Sequence, residues 1–164
     1  MARSNSSALN QASPDLVISR DIDAPRNLVF EAWINPKHLA KWWGPEGFSN
    51  PRCELDVRPG GAIRIDMRGP DGTIYFMGGF YQEIVEPEKL VFSSSPLDGL
   101  GHPLLDVLHT ITFVDRGPKT RLTVQTQVLR STDESIPYLE GMEEGWNQSL
   151  DRLNDYVQTM SLDT

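Results

Sequence analysis

Lys37-His38-Leu39-Ala40-Lys41-Trp42-Trp43-Gly44-Pro45 marks the point where the hydrophobic period of this chain changes. Upstream of it, Leu28, Val29, Ala32 and Trp33 recur at helical spacing. Asn35-Pro36 interrupts that run, and Lys37 to Trp43 reads as a second short helix stopped by Gly44-Pro45. Downstream, from Arg52 to Arg130, the period is two. The adjacent indoles are costly to leave in water, since burying one large apolar side chain contributes roughly 1.5–3 kcal/mol. Each indole N–H also wants an acceptor. Neighbours on a helix end point about 100° apart, so Trp42 and Trp43 face different surroundings. We assign Trp42 to packing and Trp43 to the mouth of a cavity.

Working outward, Leu16 to Ile22 is a first strand, ended by Asp23-Ala24-Pro25. Asp23 is expected to cap the first helix, with Pro25 in its first turn. Six further strands are expected near 52–57, 61–68, 73–85, 88–95, 105–115 and 119–130. Turn chemistry separates them at Pro59-Gly60-Gly61, Gly69-Pro70-Asp71-Gly72, Glu86-Pro87 and Arg116-Gly117-Pro118. Short strands with no helix between them make an antiparallel meander. Residues 96–104 are its longest loop. A final long helix, from about Ser135 to Thr159, carries the stripe Leu139, Met142, Trp146, Leu150, Leu153, Val157 and Met160. No other element is long enough to cover a curved sheet. The expected class is therefore α+β: a curved antiparallel sheet of about seven strands around a long C-terminal helix, with two short helices after the first strand. Residues 14–160 form one domain, and residues 1–13, small and polar, read as a disordered tail.

The chain has 164 residues, enough for one sizeable core. Its 23 acidic against 15 basic side chains give a net charge of −8. That balance argues against a general nucleic-acid surface, which needs clustered Lys and Arg. Cys53 is the single cysteine, so no intramolecular disulfide forms, and we expect it to be a small structural side chain. There is no apolar run of membrane-spanning length and no secretory leader pattern, so a cytoplasmic location is expected.

Motifs of catalysis and metal binding are scarce. His38, His102 and His109 lack ligand spacing, and Ser93-Ser94-Ser95 lacks a Gly-x-Ser-x-Gly elbow. No metal or cofactor is expected. Gly60-Gly61 and the Gly69 to Gly72 stretch lie between strands and read as turns. Strand phase puts Val107, His109, Ile111 and Phe113 on the core face, carrying His109 inward. Arg64 and Asp66 share the opposite face from Ile63, Ile65 and Met67. Gly141 and Gly145 share a helix face. They imply either close approach of the helix to its neighbours or room for a ligand beside Met142 and Trp146.

Several segments together resemble the START-like superfamily, and within it the bacterial proteins similar to the C-terminal domain of the activator of Hsp90 ATPase. They are Asp23-Ala24-Pro25, Val29-Phe30-Glu31-Ala32-Trp33, Trp42-Trp43-Gly44-Pro45, Asp56-Val57-Arg58-Pro59-Gly60-Gly61, Met67-Arg68-Gly69-Pro70-Asp71-Gly72, Gly79-Phe80-Tyr81-Gln82-Glu83-Ile84 and Gly141-Met142-Glu143-Glu144-Gly145-Trp146. The resemblance implies a helix-grip fold, a sheet gripping the C-terminal helix around a hydrophobic cavity. Its expected lining is Trp43, Phe48, Tyr75, Met77, Tyr81, His109, Met142 and Trp146, with His109, Tyr75 or Tyr81 orienting a ligand. The first reading is a binding protein for a small hydrophobic molecule that enters past residues 96–104. By analogy, a second is an interaction protein acting on Hsp90. A third is an enzyme, a cyclase, dehydratase or hydrolase using the same cavity with His109 as its acid/base group. An exposed strand edge or the less buried tryptophan could also make a homodimer.

Overall fold

The computed structural model describes residues 14–162. The expected tail at 1–13 lies outside them. Strand β1 (Leu16–Ile22) leads into helices α1 (Arg26–Ile34) and α2 (Pro36–Trp42). Six strands follow: β2 (Ser49–Leu55), β3 (Ala62–Arg68), β4 (Ile74–Val85), β5 (Lys89–Leu97), β6 (Leu105–Arg116) and β7 (Lys119–Ser131). A short 3-10 turn (Asp133–Ser135), helix α3 (Ile136–Glu140) and helix α4 (Met142–Leu162) complete the order. All seven strands pair antiparallel in one sheet, β1-β7-β6-β5-β4-β3-β2. The meander closes back on β1, and α4 packs against β1, α1 and α2 across the concave face.

Curvature has a local cause. The register slips between Tyr81 and Glu83 and between Asp106 and Val107, as bulges do when they bend a strand. At Gly79 a Cβ would lie 1.9 Å from Ser93 O, so only glycine lets β4 and β5 approach that closely. Core strand faces alternate as the period requires: Leu105, Val107, His109, Ile111 and Phe113 on β6 are all buried. Arg64 and Asp66 pair on the far face of β3 at 3.2 Å.

Four local expectations are corrected. Pro25, not Asp23, occupies the N-cap of α1 and makes no side-chain cap bond. Asp23 instead pairs with Lys119 at 3.3 Å and its backbone N–H donates to Asn154 on α4. Strand β2 begins and ends earlier than expected, at Ser49 and Leu55, and near its start the Asn50 side chain donates to the carbonyls of Ala40 and Trp43 at the end of α2. The loop expected at 96–104 is shorter: β5 runs on to Leu97, and Leu97 bridges to Pro103. The long helix is not continuous from Ser135, because Gly141, with φ −93° and ψ 0°, separates α3 from α4. Gly145 N still donates to Gly141 O at 2.9 Å, so the helical direction carries across the break.

Among the described residues no helix is long and apolar enough to cross a membrane.

Candidate functional site

The two indoles that open the sheet part company as their helical phase requires. Trp42 is fully buried and its Nε1–H donates to Ala32 O at 3.0 Å. Trp43 turns toward α4 and meets Trp146 edge-on, ring centroids 5.6 Å apart. Trp33 lies behind both, stacked on Trp146 at 6.0 Å and edge-on to Trp42 at 4.8 Å. Its own Nε1–H is buried and finds no acceptor among the described residues. The four tryptophans thus form one cluster under the helix, with Trp43 and Trp146 on its open side.

That open side walls a cavity of about 190 Å³. The sheet supplies Met67, Tyr75, Phe76, Met77, Ser94, Pro96, Leu105, Val107 and His109, the α2–β2 connection supplies Trp43, Gly44 and Pro45, and the helices supply Tyr138, Met142, Gly145, Trp146 and Ser149. Six expected lining residues meet here: Trp43, Tyr75, Met77, His109, Met142 and Trp146. Two do not. Phe48 stands behind the wall, its ring 5.8 Å from that of Tyr75. Tyr81 points to the other side of Met77, into a small void of about 10 Å³ among Leu55, Ile65 and Phe92. Burial there raises its phenol well above the usual range. It keeps the inward phase of Met77 but sits further along β4, past the end of the cavity. The free thiol of Cys53 is also outside, and burial pushes it up to about 11, which keeps it protonated.

Polar groups in the wall are few. His109 is 4% exposed and hydrogen-bonded on both sides, Nε2 to Ser94 Oγ at 2.8 Å and Nδ1 to Thr126 Oγ1 at 2.9 Å. Phe92 and Trp146 close over its ring at 5.0 and 5.2 Å. Burial takes its pKa down to about 3, so the imidazole is neutral at pH 7. Ser149 on α4 and the phenols of Tyr75 and Tyr138 are the remaining hydroxyls. Burial and the neighbouring Tyr75 raise the phenol of Tyr138.

Gly145 resolves one of the two sequence alternatives at its own position. A Cβ built there meets no atom within 4 Å, and at Gly141 the nearest is Pro137 O at 3.5 Å. Close approach to the sheet therefore explains neither glycine, and Gly145 leaves space in the cavity wall.

Arg152 was not singled out by sequence reasoning. Its guanidinium, on α4, donates to the carbonyls of Trp43, Gly44, Pro45, Lys41 and Phe48 at 2.9–3.3 Å. Burial lowers its pKa, partly offset by the charge of Glu46. This fan of bonds holds the cavity edge at Trp43-Gly44-Pro45 against the helix. The available signal was the α2 end itself: Gly44-Pro45 strands several carbonyls that need donors from elsewhere.

A seven-stranded sheet gripping a C-terminal helix, with an aromatic apolar cavity between them, defines a helix-grip protein. The family model described as Activator of Hsp90 ATPase homolog 1-like protein matches residues 23–158, and the chain belongs to that family. Among solved structures, one from Chromobacterium violaceum is 31% identical, with a TM-score of 0.73 over 87% of this chain and 95% of that one. Another from Nitrosomonas europaea is 25% identical, with a TM-score of 0.76 over 92% and 98%. The AHSA1 protein from Silicibacter pomeroyi, 22% identical, shares the fold with a TM-score of 0.73 over 91% and 99%. No curated protein matches the chain.

Proposed function

We propose that this protein binds a small hydrophobic molecule between the sheet and α4. The observation that carries the reading is the cavity itself, an aromatic and aliphatic wall interrupted by a few hydroxyls. Ligand sites commonly combine such a wall with a small number of polar anchors. Its size sets the class of ligand. A protein cavity of about 150 Å³ accepts benzene, so about 190 Å³ accommodates one ring or two fused rings. Trp43 and Trp146 supply contact area, and Gly145 supplies the space that a larger residue would occupy.

Native mass spectrometry of the protein exposed to lipid and aromatic-metabolite pools tests this. A retained bound mass that disappears in Gly145→Leu is the expected result, and no bound mass from any pool overturns the reading. The family match supplies a second reading, action on Hsp90. An Hsp90 ATPase rate unchanged by the purified protein refutes that one.

A further inference from the structure

We infer that Ser94 points its hydroxyl proton into the cavity, so that the site selects molecules carrying a hydrogen-bond acceptor, such as a cyclic ketone. This rests on the ligand-binding reading and gives it a chemical direction.

Three side chains on adjacent strands set the direction of that proton. Thr126 on β7, His109 on β6 and Ser94 on β5 form a line of hydrogen bonds at 2.9 and 2.8 Å. The middle member is a neutral imidazole, which has one N–H donor and one bare nitrogen. Thr126 is fully buried, and its hydroxyl has His109 Nδ1 as its only hydrogen-bond partner among the described residues. If Nδ1 carried the ring proton, Thr126 would have to accept, and its own O–H proton would be orphaned in the interior. A buried donor without an acceptor is the costlier defect, whereas an unused lone pair is common. Thr126 therefore donates to Nδ1, and the ring proton sits on Nε2.

The consequence appears at Ser94. Nε2–H donates to Ser94 Oγ, so that oxygen accepts from the ring and its own proton must go elsewhere. Ser94 is in the cavity wall and makes no other side-chain hydrogen bond among the described residues. Its O–H is thus aimed at the occupant. Ser149, Tyr75 and Tyr138 have rotors free to donate or accept, so they do not discriminate. Ser94 does, because Thr126 fixes the tautomer two strands away.

The test uses 1-tetralone and tetralin, matched bicyclic probes with and without a carbonyl, followed by quenching of tryptophan fluorescence. One neutral hydrogen bond in a dry site corresponds to about tenfold in affinity, so the wild type should bind the ketone about tenfold more tightly. Ser94→Ala should cut that preference severalfold, to whatever the free hydroxyls of Ser149, Tyr75 and Tyr138 still supply, and leave tetralin binding within about twofold. Thr126→Val, which removes the donor to Nδ1, should weaken the preference without touching the cavity wall. Long-range 1H–15N correlation spectra of the wild type should show His109 protonated on Nε2. A proton on Nδ1, no ketone preference, or a preference undiminished by Ser94→Ala overturns the inference while tetralin binding leaves the cavity reading intact. Failure of both probes to bind overturns both.

Discussion

His109 keeps its ring uncharged at neutral pH because Phe92, Trp146, Ser94 and Thr126 surround it and none of them carries charge. Its folded pKa of about 3 lies far below the ordinary 6.5. The unfolded chain therefore takes up the proton first as pH falls, and stability drops below about pH 6.5. From pH 7 to pH 5 this one group costs about 2 kcal/mol. Urea unfolding at the two pH values should show that loss in the wild type and not in His109→Gln. An equal loss in both proteins would assign the acid sensitivity to other groups. The inward direction of His109 was legible from strand phase alone, since period two leaves only two faces. Its partners were not, because Ser94 and Thr126 come from other strands, and which of their residues stand beside it is set by cross-strand register that no local pattern announces.

Between secondary-structure elements, Arg152 decides how α4 meets the α2–β2 connection. Five carbonyls at a helix end and turn lean on one guanidinium. Deleting it leaves several of them short of a donor, each unsatisfied buried group costing about 1–3 kcal/mol. Solvent reaches part of this site, so Arg152→Met is expected to lose about 2–4 kcal/mol in total. Arg152→Lys should recover only part of that, because one ammonium cannot reproduce the planar fork. Chemical denaturation measures both, and a Met variant within about 0.5 kcal/mol of wild type would refute the clamp. Gly145 works in the opposite sense. It sits inside α4 with open space where a Cβ would be, so Gly145→Ala should stabilise the helix by about 0.8–1.0 kcal/mol. A lower melting temperature in that variant would show that the backbone there needs glycine for another reason. Element type and order were readable from period and turn residues, as at Asn35-Pro36, where Asn35 Oδ1 caps Lys37 N at 3.0 Å. Caps and clamps that cross between elements, such as Asn154 on Asp23 and Arg152 on Pro45, depend on tertiary approach and leave no local pattern.

The cavity belongs to no single part of the chain. Its walls come from β3 to β6, the Trp43-Gly44-Pro45 connection, α3 and α4, so a ligand there bridges segments that are far apart in sequence. Six of its lining residues were nameable beforehand, because an inward strand phase and an inner helix stripe must converge when a curved sheet covers a helix. Tyr81 lies outside it because strand phase sets the face and not the position along the strand, and Phe48 because a residue just after a turn has no period to orient it. The same bridging makes binding visible in global stability. A ligand that binds the folded chain and not the unfolded one adds RT ln(1 + [L]/Kd), about 2.7 kcal/mol at a hundredfold excess over Kd. Tetralin at that excess should therefore raise the melting temperature by several degrees, and the shift should grow with the logarithm of its concentration. Gly145→Leu puts a side chain into the space beside Trp146, so it should lose the shift while the unliganded protein still unfolds in one cooperative transition. A shift of equal size in Gly145→Leu would place the ligand somewhere other than this cavity.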